Sequence, residues 1–243
     1  MLRRERILGI PILAGKREEM LKEIADLVSV GGVVATLNPE IMAMAFENRE
    51  LYRVLRESVN VPDGIGVVKE LSSRGTVSSV YPGVELGEDI LKGRRLRLGI
   101  IGGREGVAKR ALRRLSEKHN GVVPLFAESG YGITEKRAEE MIGRMRPDVV
   151  FVCLGAPKQE LFSFLLHRKF QGVLFLALGG SVDVYSGDVR RAPLLLRRMH
   201  LEWLFRIARE PSRIFRFKRS LSFFRYARLE KRGKLHKITG KTS

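Results

Sequence analysis

Over the first four-fifths of this 243-residue chain, short apolar runs alternate with stretches of helical periodicity, and after Pro193 only the helical pattern remains. The strand-like runs lie at 31–37, 58–61, 96–101, 122–126, 148–154 and 173–178, and amphipathic segments at 18–29, 39–57, 106–118, 134–145 and 157–169 separate several of them. Runs that are apolar almost throughout predict strands buried on both faces. Such strands alternating with helices predict a parallel sheet with helical crossovers. The expected fold is therefore α/β: a mostly parallel, Rossmann-like sheet with helices on both faces, followed by a basic helical C-terminal appendage. The boundary falls at Pro193, with an α/β domain over 1–193 and the appendage over 194–243. Local chemistry agrees, because Asn38 is suited to cap a helix begun by Pro39, Thr134 to cap a later one, and Pro147 follows the end of that helix.

The net charge of +18 is unevenly spread. From Arg190 to Ser243 there are 17 Lys/Arg against 3 Asp/Glu, a charge of +14, whereas residues 1–189 hold 28 against 24, or +4. The body is nearly neutral and the tail is a cation. Beyond Pro211, Ile214, Phe217, Leu221 and Phe224 align on one helical face. Phe215, Phe223 and Tyr226 lie off that face, and Arg213, Arg216, Lys218, Arg219, Arg225 and Arg228 surround the cylinder. Interleaved aromatic and basic residues suit an interfacial helix on an anionic membrane, and they also suit nucleic-acid binding. An earlier stripe of Leu196, Met199, Trp203 and Ile207 reads as packing.

Cys153 is the single cysteine and lies in an apolar run, so no disulfide framework is expected. His119, His167, His200 and His236 have no ligand spacing, and no metal or other cofactor is expected. The charged N-terminus lacks the apolar core of about 7–15 residues that a signal peptide needs. No run approaches the roughly 20 apolar residues of a membrane span. The expectation is a cytoplasmic protein, with attachment to a membrane surface left open.

Several polar residues follow strand-like runs, where a parallel sheet places its ligand site. After the 148–154 run, Gly155 allows a tight exit and Pro157 stands at the start of a helix from which Lys158 and Gln159 project. Free N–H groups and the positive end of the helix dipole suit an anion such as a diphosphate there, although any βα turn can look alike. Thr36 and Asn38 end the first long run. Asp63, on the turn Asp63-Gly64-Ile65-Gly66, can take a proton from a sugar hydroxyl, or it can be a turn or capping aspartate, the reading its position alone favours. Gly102 and Gly103 begin a turn suggestive of phosphate cradling but without G-x-G-x-x-G spacing, which argues against a nicotinamide-dependent oxidoreductase. Asp183, after Gly179-Gly180, fits a ribose contact or a structural turn about equally. Tyr131 fits a base-stacking aromatic or a packed loop residue.

Taken together, Thr36-Leu37-Asn38-Pro39-Glu40, Pro62-Asp63-Gly64-Ile65-Gly66, Gly155-Ala156-Pro157-Lys158-Gln159-Glu160, Gly179-Gly180 with Asp183, Arg191-Ala192-Pro193 and Glu202-Trp203-Leu204 resemble the WecG/TagA/CpsF family of bacterial glycosyltransferases. Their order and spacing cover about residues 8–217. The resemblance implies metal-independent, inverting transfer of N-acetylmannosamine or its uronic acid from a UDP-sugar donor to a polyprenyl-diphosphate-linked N-acetylglucosamine acceptor, with a β-1,4 linkage, in the synthesis of a cell-surface polysaccharide or teichoic acid. Asp63 matches the residue proposed there as general base, Gln159 one implicated in catalysis, and Thr36 with Asn38 positions lining the substrate pocket. Tyr131 and Asp183 match contacts to uracil and ribose. Arg206, Arg213 and Arg216 match arginines of an appendage that meets an anionic membrane surface on its cytoplasmic side and closes over the site. The resemblance also permits a homo-oligomer, and it implies neither a cofactor nor a nucleic-acid partner. In one respect the chain departs from the family: Val80 stands where an arginine is usual, leaving Arg74, Arg104 or an appendage arginine to substitute, or turnover to be weak. A basic nucleic-acid-binding protein remains the alternative from another class.

Overall fold

The computed structural model describes residues 1–199, 201–209 and 214–234. Its centre is a six-stranded, all-parallel sheet made of β3 (Gly32–Leu37), β4 (Val59–Pro62), β5 (Leu96–Gly102), β6 (Val122–Glu128), β7 (Val149–Cys153) and β8 (Leu174–Ala177), in the spatial order β4-β3-β8-β7-β5-β6. The expected α/β architecture is present. All six strands coincide with the apolar runs, and β7 and β8 are buried along their whole length. Successive side chains point to opposite faces, so Leu98, Ile100, Val149, Phe151, Leu174 and Leu176 pack on one side while Ile101, Val150, Val152 and Phe175 pack on the other.

The first face is covered by α1 (Arg17–Val30), α5 (Gly83–Leu91), α6 (Val107–Lys118) and the short α9 (Ser181–Tyr185). On the other lie α2 (Pro39–Glu47), α3 (Arg49–Glu57), α4 (Ile65–Ser72), α7 (Glu135–Met145) and α8 (Lys158–Lys169). The single helix expected over 39–57 is two. The Asn48 side chain accepts from the N–H groups of Glu50 and Leu51, capping a new helix and ending the old one. Asn38 and Thr134 cap α2 and α7 as expected. Two helices on either side of Arg74, α4 and α5, and an N-terminal hairpin of β1 (Arg3–Ile7) and β2 (Ile10–Ala14), have no counterpart in the pattern read from the sequence. The hairpin lies against the β4 edge, where Asn60 donates to the Pro11 carbonyl at 2.8 Å.

After Pro193 the described chain is helical, with α10 (Leu194–Arg198), α11 (Glu202–Arg209) and α12 (Ile214–Lys231). α12 returns to the α/β body and packs along α2. Phe223 and Ala227 are fully buried in the α2–α4 core, Tyr226 stacks on Phe46 with ring centroids 4.6 Å apart and donates to Glu47, and Lys231 pairs with Glu70 at 2.9 Å. The stripe inferred from spacing is therefore not the packed one. Ile214 and Leu221 face solvent, Phe224 is 41% exposed with its ring edge toward Gly66, Phe217 lies outside the described side chains, and the buried face is built from Phe223, Tyr226 and Ala227. Met199 and Trp203 of the earlier stripe are likewise exposed.

Candidate functional site

Helices leave neighbouring strands toward opposite faces of the sheet: α8 departs from β7 to one side, while α9 from β8 and α6 from β5 depart to the other. Crevices open between the carboxyl ends of such strands, and there open α/β sheets bind ligands. The sequence-predicted residues gather along this rim.

At the β4–β3 end, the Asp63 N–H donates to the Leu37 carbonyl at 2.8 Å, continuing the ladder by one residue past the strands. Asn38 lies alongside, its Cβ 3.9 Å from where a side chain on Gly64 would begin. Its own side chain accepts from the Ile41 N–H at 3.0 Å. Thr36 is buried and its hydroxyl donates to Ala177 of β8 at 3.2 Å. The start of α5 closes over this point. A Cβ on Gly83 would lie 3.3 Å from the Thr36 hydroxyl, the Leu178 carbonyl and the Ser181 hydroxyl alike, so a larger residue would push these neighbours aside by a few tenths of an ångström.

Gln159 begins α8 but does not project as the sequence suggests. It is buried, and its Oε1 accepts from the Gly179 N–H after β8 at 2.9 Å while its Nε2 donates to Glu160 Oε1 at 2.8 Å. Lys158 is exposed at the helix start. Glu160 is completely buried, and burial pushes its carboxyl up to about 7, against the lowering effect of the Gln159 amide and its own backbone N–H. One strand, β3, separates the Asp63 end of β4 from the Gly179 end of β8, so the two points lie two strand spacings apart, roughly 10 Å.

On the other side of β7 the rim is lined by glycine. Gly102 has φ 150°, and a Cβ there would fall 2.3 Å from the Cys153 carbonyl. The Gly130 N–H donates to the Gly103 carbonyl at 2.9 Å, binding the β5 and β6 turns together, and Val182 of α9 closes on Gly103. Asp183, next in α9, is half-buried beside the Gly179-Gly180 turn, and Tyr131 stands 75% exposed at the lip. The rim thus has two halves: glycine turns with a ring and a carboxylate, then the Thr36, Asn38, Asp63 and Gln159 cluster.

Of the appendage arginines, Arg213 lies outside the described residues, as do the side chains of Arg206 and Arg216. At Val80, where the family arginine was expected, a cation arrives from elsewhere. Arg17 of α1 donates Nε to the Val80 carbonyl at 2.8 Å and pairs with Glu85. Arg191 also reaches Glu85, at 2.9 Å, and bridges to Glu202 of α11 at 3.5 Å. Arg74 is engaged instead with Glu70 and Glu230, between α4 and α12. Sequence reasoning missed Arg17, Glu85, Glu160 and the α5 start. Arg17 and Val80 are 63 residues apart, and no local spacing signals their contact.

An N-acetylglucosaminyldiphosphoundecaprenol N-acetyl-beta-D-mannosaminyltransferase of Bacillus subtilis (strain 168) is 35% identical over 205 residues, covering 82% of this chain and 78% of the relative. A protein of the same name from Bacillus spizizenii (strain ATCC 23059 / NRRL B-14472 / W23) is 33% identical, covering 81% of this chain and 77% of the relative. One from Staphylococcus aureus (strain MW2) is 27% identical, covering 84% and 82%. The sequence model of the family described as glycosyl transferase WecG/TagA/CpsF matches residues 5–237, and the chain belongs to that family.

Proposed function

We propose that the chain transfers N-acetylmannosamine, or its uronic acid, from UDP to a polyprenyl-diphosphate-linked N-acetylglucosamine, with inversion and without a metal. The placing of Asp63, Thr36 and Gln159 along the same carboxyl rim, after β4, at the end of β3 and, reaching across from β7, against the turn after β8, supports this reading, together with the printed names of the relatives. The nucleotide occupies the glycine-lined half, with uracil against Tyr131 and ribose hydroxyls on Asp183. The donor sugar lies over the Gly179 turn toward Thr36, and the acceptor enters past Asn38 and Asp63.

The acceptor hydroxyl oxygen attacks the anomeric carbon as the bond to UDP breaks. The hydroxyl proton passes to the Asp63 carboxylate, and UDP leaves with the bonding electron pair. Because attack and departure occur on opposite faces, the configuration inverts. Charge developing on the diphosphate is met by Lys158, the α8 dipole and the Arg17–Arg191 pair, the fixed electrostatics that stabilise such a transition state. The acceptor's lipid calls for a membrane surface. Leu221 and Phe224 are exposed on α12, which also carries the exposed Arg225 and Arg228, and Leu194, Leu195 and Trp203 are exposed on α10 and α11, a composition that suits an anionic leaflet. Among the described residues no helix is long and apolar enough to cross a membrane, so this contact would be peripheral.

The deciding experiment incubates the protein with a lipid-diphosphate N-acetylglucosamine analogue and a panel of UDP-sugars and measures UDP release. Release only with UDP-N-acetylmannosamine or its uronic acid, and only with acceptor, is expected, and it persists in EDTA. Release with UDP-glucose alone, or loss of activity in EDTA, contradicts the reading.

A further inference from the structure

A buried acidic side chain beside the rim has no role in the chemistry above. Glu160 is completely buried, as is Ser163 one turn along α8, and among the described residues neither Glu160 Oε2 nor Ser163 Oγ has a hydrogen-bond partner. Burying a carboxyl with an orphaned oxygen opposes folding, and an apolar side chain of similar volume would serve the core better. Burial also pushes the group up to about 7, away from the ordinary carboxylate range. Packing does not account for a carboxyl here.

Its one side-chain contact does. A glutamine amide has nearly the same shape after a half-turn that exchanges its oxygen and nitrogen, so its orientation is set by its partners. The Gly179 N–H at 2.9 Å is a donor and demands the oxygen, while Glu160 Oε1 at 2.8 Å accepts and demands the nitrogen. Gln159 is thereby fixed at both ends, and the β7–α8 turn is joined to the Gly179-Gly180 turn after β8. We infer that Glu160 is a positioning residue: it holds the Gln159 amide, and through it the Gly179 turn, in the orientation the transfer reaction uses. Its catalytic consequence rests on the proposed transferase reading, whereas the orientation of Gln159 does not.

Two variants test it, Glu160→Met, apolar and of similar volume, and Glu160→Gln, which keeps an acceptor oxygen for Gln159. Glu160→Met removes an unsatisfied buried oxygen but leaves the Gln159 amide nitrogen without its acceptor, and these opposing effects are expected to keep its melting temperature close to wild type. Its Gly179 amide should nevertheless exchange at least about tenfold faster, and kcat should fall by about 10–100-fold with KM for the UDP-sugar within about threefold. Glu160→Gln should retain Gly179 protection and most of kcat. Unchanged Gly179 exchange in Glu160→Met overturns the inference. So does a fall in kcat that merely tracks a lower melting temperature in both variants. If wild-type protein releases no UDP, the transferase reading fails while the exchange measurement still decides whether Glu160 orients Gln159.

Discussion

Asp63 stands on a one-residue extension of the β3–β4 ladder, with its backbone fixed by Leu37 and its side chain at the rim. Replacement by Asn preserves shape and removes the basic oxygen. Asp63→Asn should lower turnover by roughly 10²–10⁴-fold, the usual contribution of a general base, while the protein stays folded. Steady-state UDP release and a thermal melt check both halves. Glu160 makes a different prediction, on stability. Its carboxyl titrates near 7 when folded and at an ordinary 4.5 when unfolded, so between those values the folded protein holds the extra proton. Stability therefore declines as pH rises from about 4.5 to about 7, by on the order of 3 kcal/mol from this group, and levels off above. Denaturant titrations across that range should show the slope in wild type and its loss in Glu160→Gln. Neither residue's role was fully legible in sequence. The turn that carries Asp63 favours a structural aspartate and only the family resemblance implied a base, while an acidic residue in a first helical turn reads as a partner for the helix dipole, and only packing makes Glu160 a buried acid.

At the scale of elements, periodicity identified what is buried on two faces and missed what is held by contacts distant in sequence. The central strands were legible because a strand covered on both faces must be apolar throughout. The β1–β2 hairpin was not, since β1 is the charged string Arg3-Arg4-Glu5-Arg6-Ile7 and its turn relies on positive φ at Leu8 and Gly9, an unusual conformation for leucine. In α12 two stripes compete. The exposed one was the more regular in spacing, whereas the packed one is selected by Phe46, Glu47 and Glu70 on the opposing helices. Phe223→Ala should therefore destabilise the protein by about 3–5 kcal/mol and open α12 to proteolysis at its Lys and Arg residues. Leu221→Ala, at an exposed site, should alter stability by no more than about 0.5 kcal/mol. Chemical denaturation with limited trypsin digestion distinguishes the two positions.

For the molecule as a whole, α12 of the cationic tail packs beside the candidate site. Phe224 of α12 approaches Gly66, whose missing Cβ would fall 2.5 Å from Pro39 and 3.1 Å from the Phe224 ring, so the helix seats beside the starts of α2 and α4 and near Asp63. Deleting the tail would strip Phe223 from the core and confuse membrane binding with unfolding. Surface substitution is cleaner. Replacing exposed Arg225 and Arg228 with Gln should weaken binding to anionic vesicles by about 30-fold, taking roughly 1 kcal/mol per charge, while leaving neutral-vesicle binding and the melting temperature unchanged. Equal vesicle binding by variant and wild type would separate the tail's charge from any membrane role.

The sequence by itself determined the α/β class, the parallel strands, the caps at Asn38 and Thr134, and the family, because apolar runs, helical periodicity and short polar motifs are local properties of the chain. Tertiary structure alone decided the strand order, the inward turn of Gln159 onto Gly179, the arrival of Arg17 at Val80 and the face on which α12 docks. Each of these depends on which surfaces meet across long separations in sequence. There desolvation and hydrogen-bond pairing choose between arrangements that local propensity leaves nearly equal.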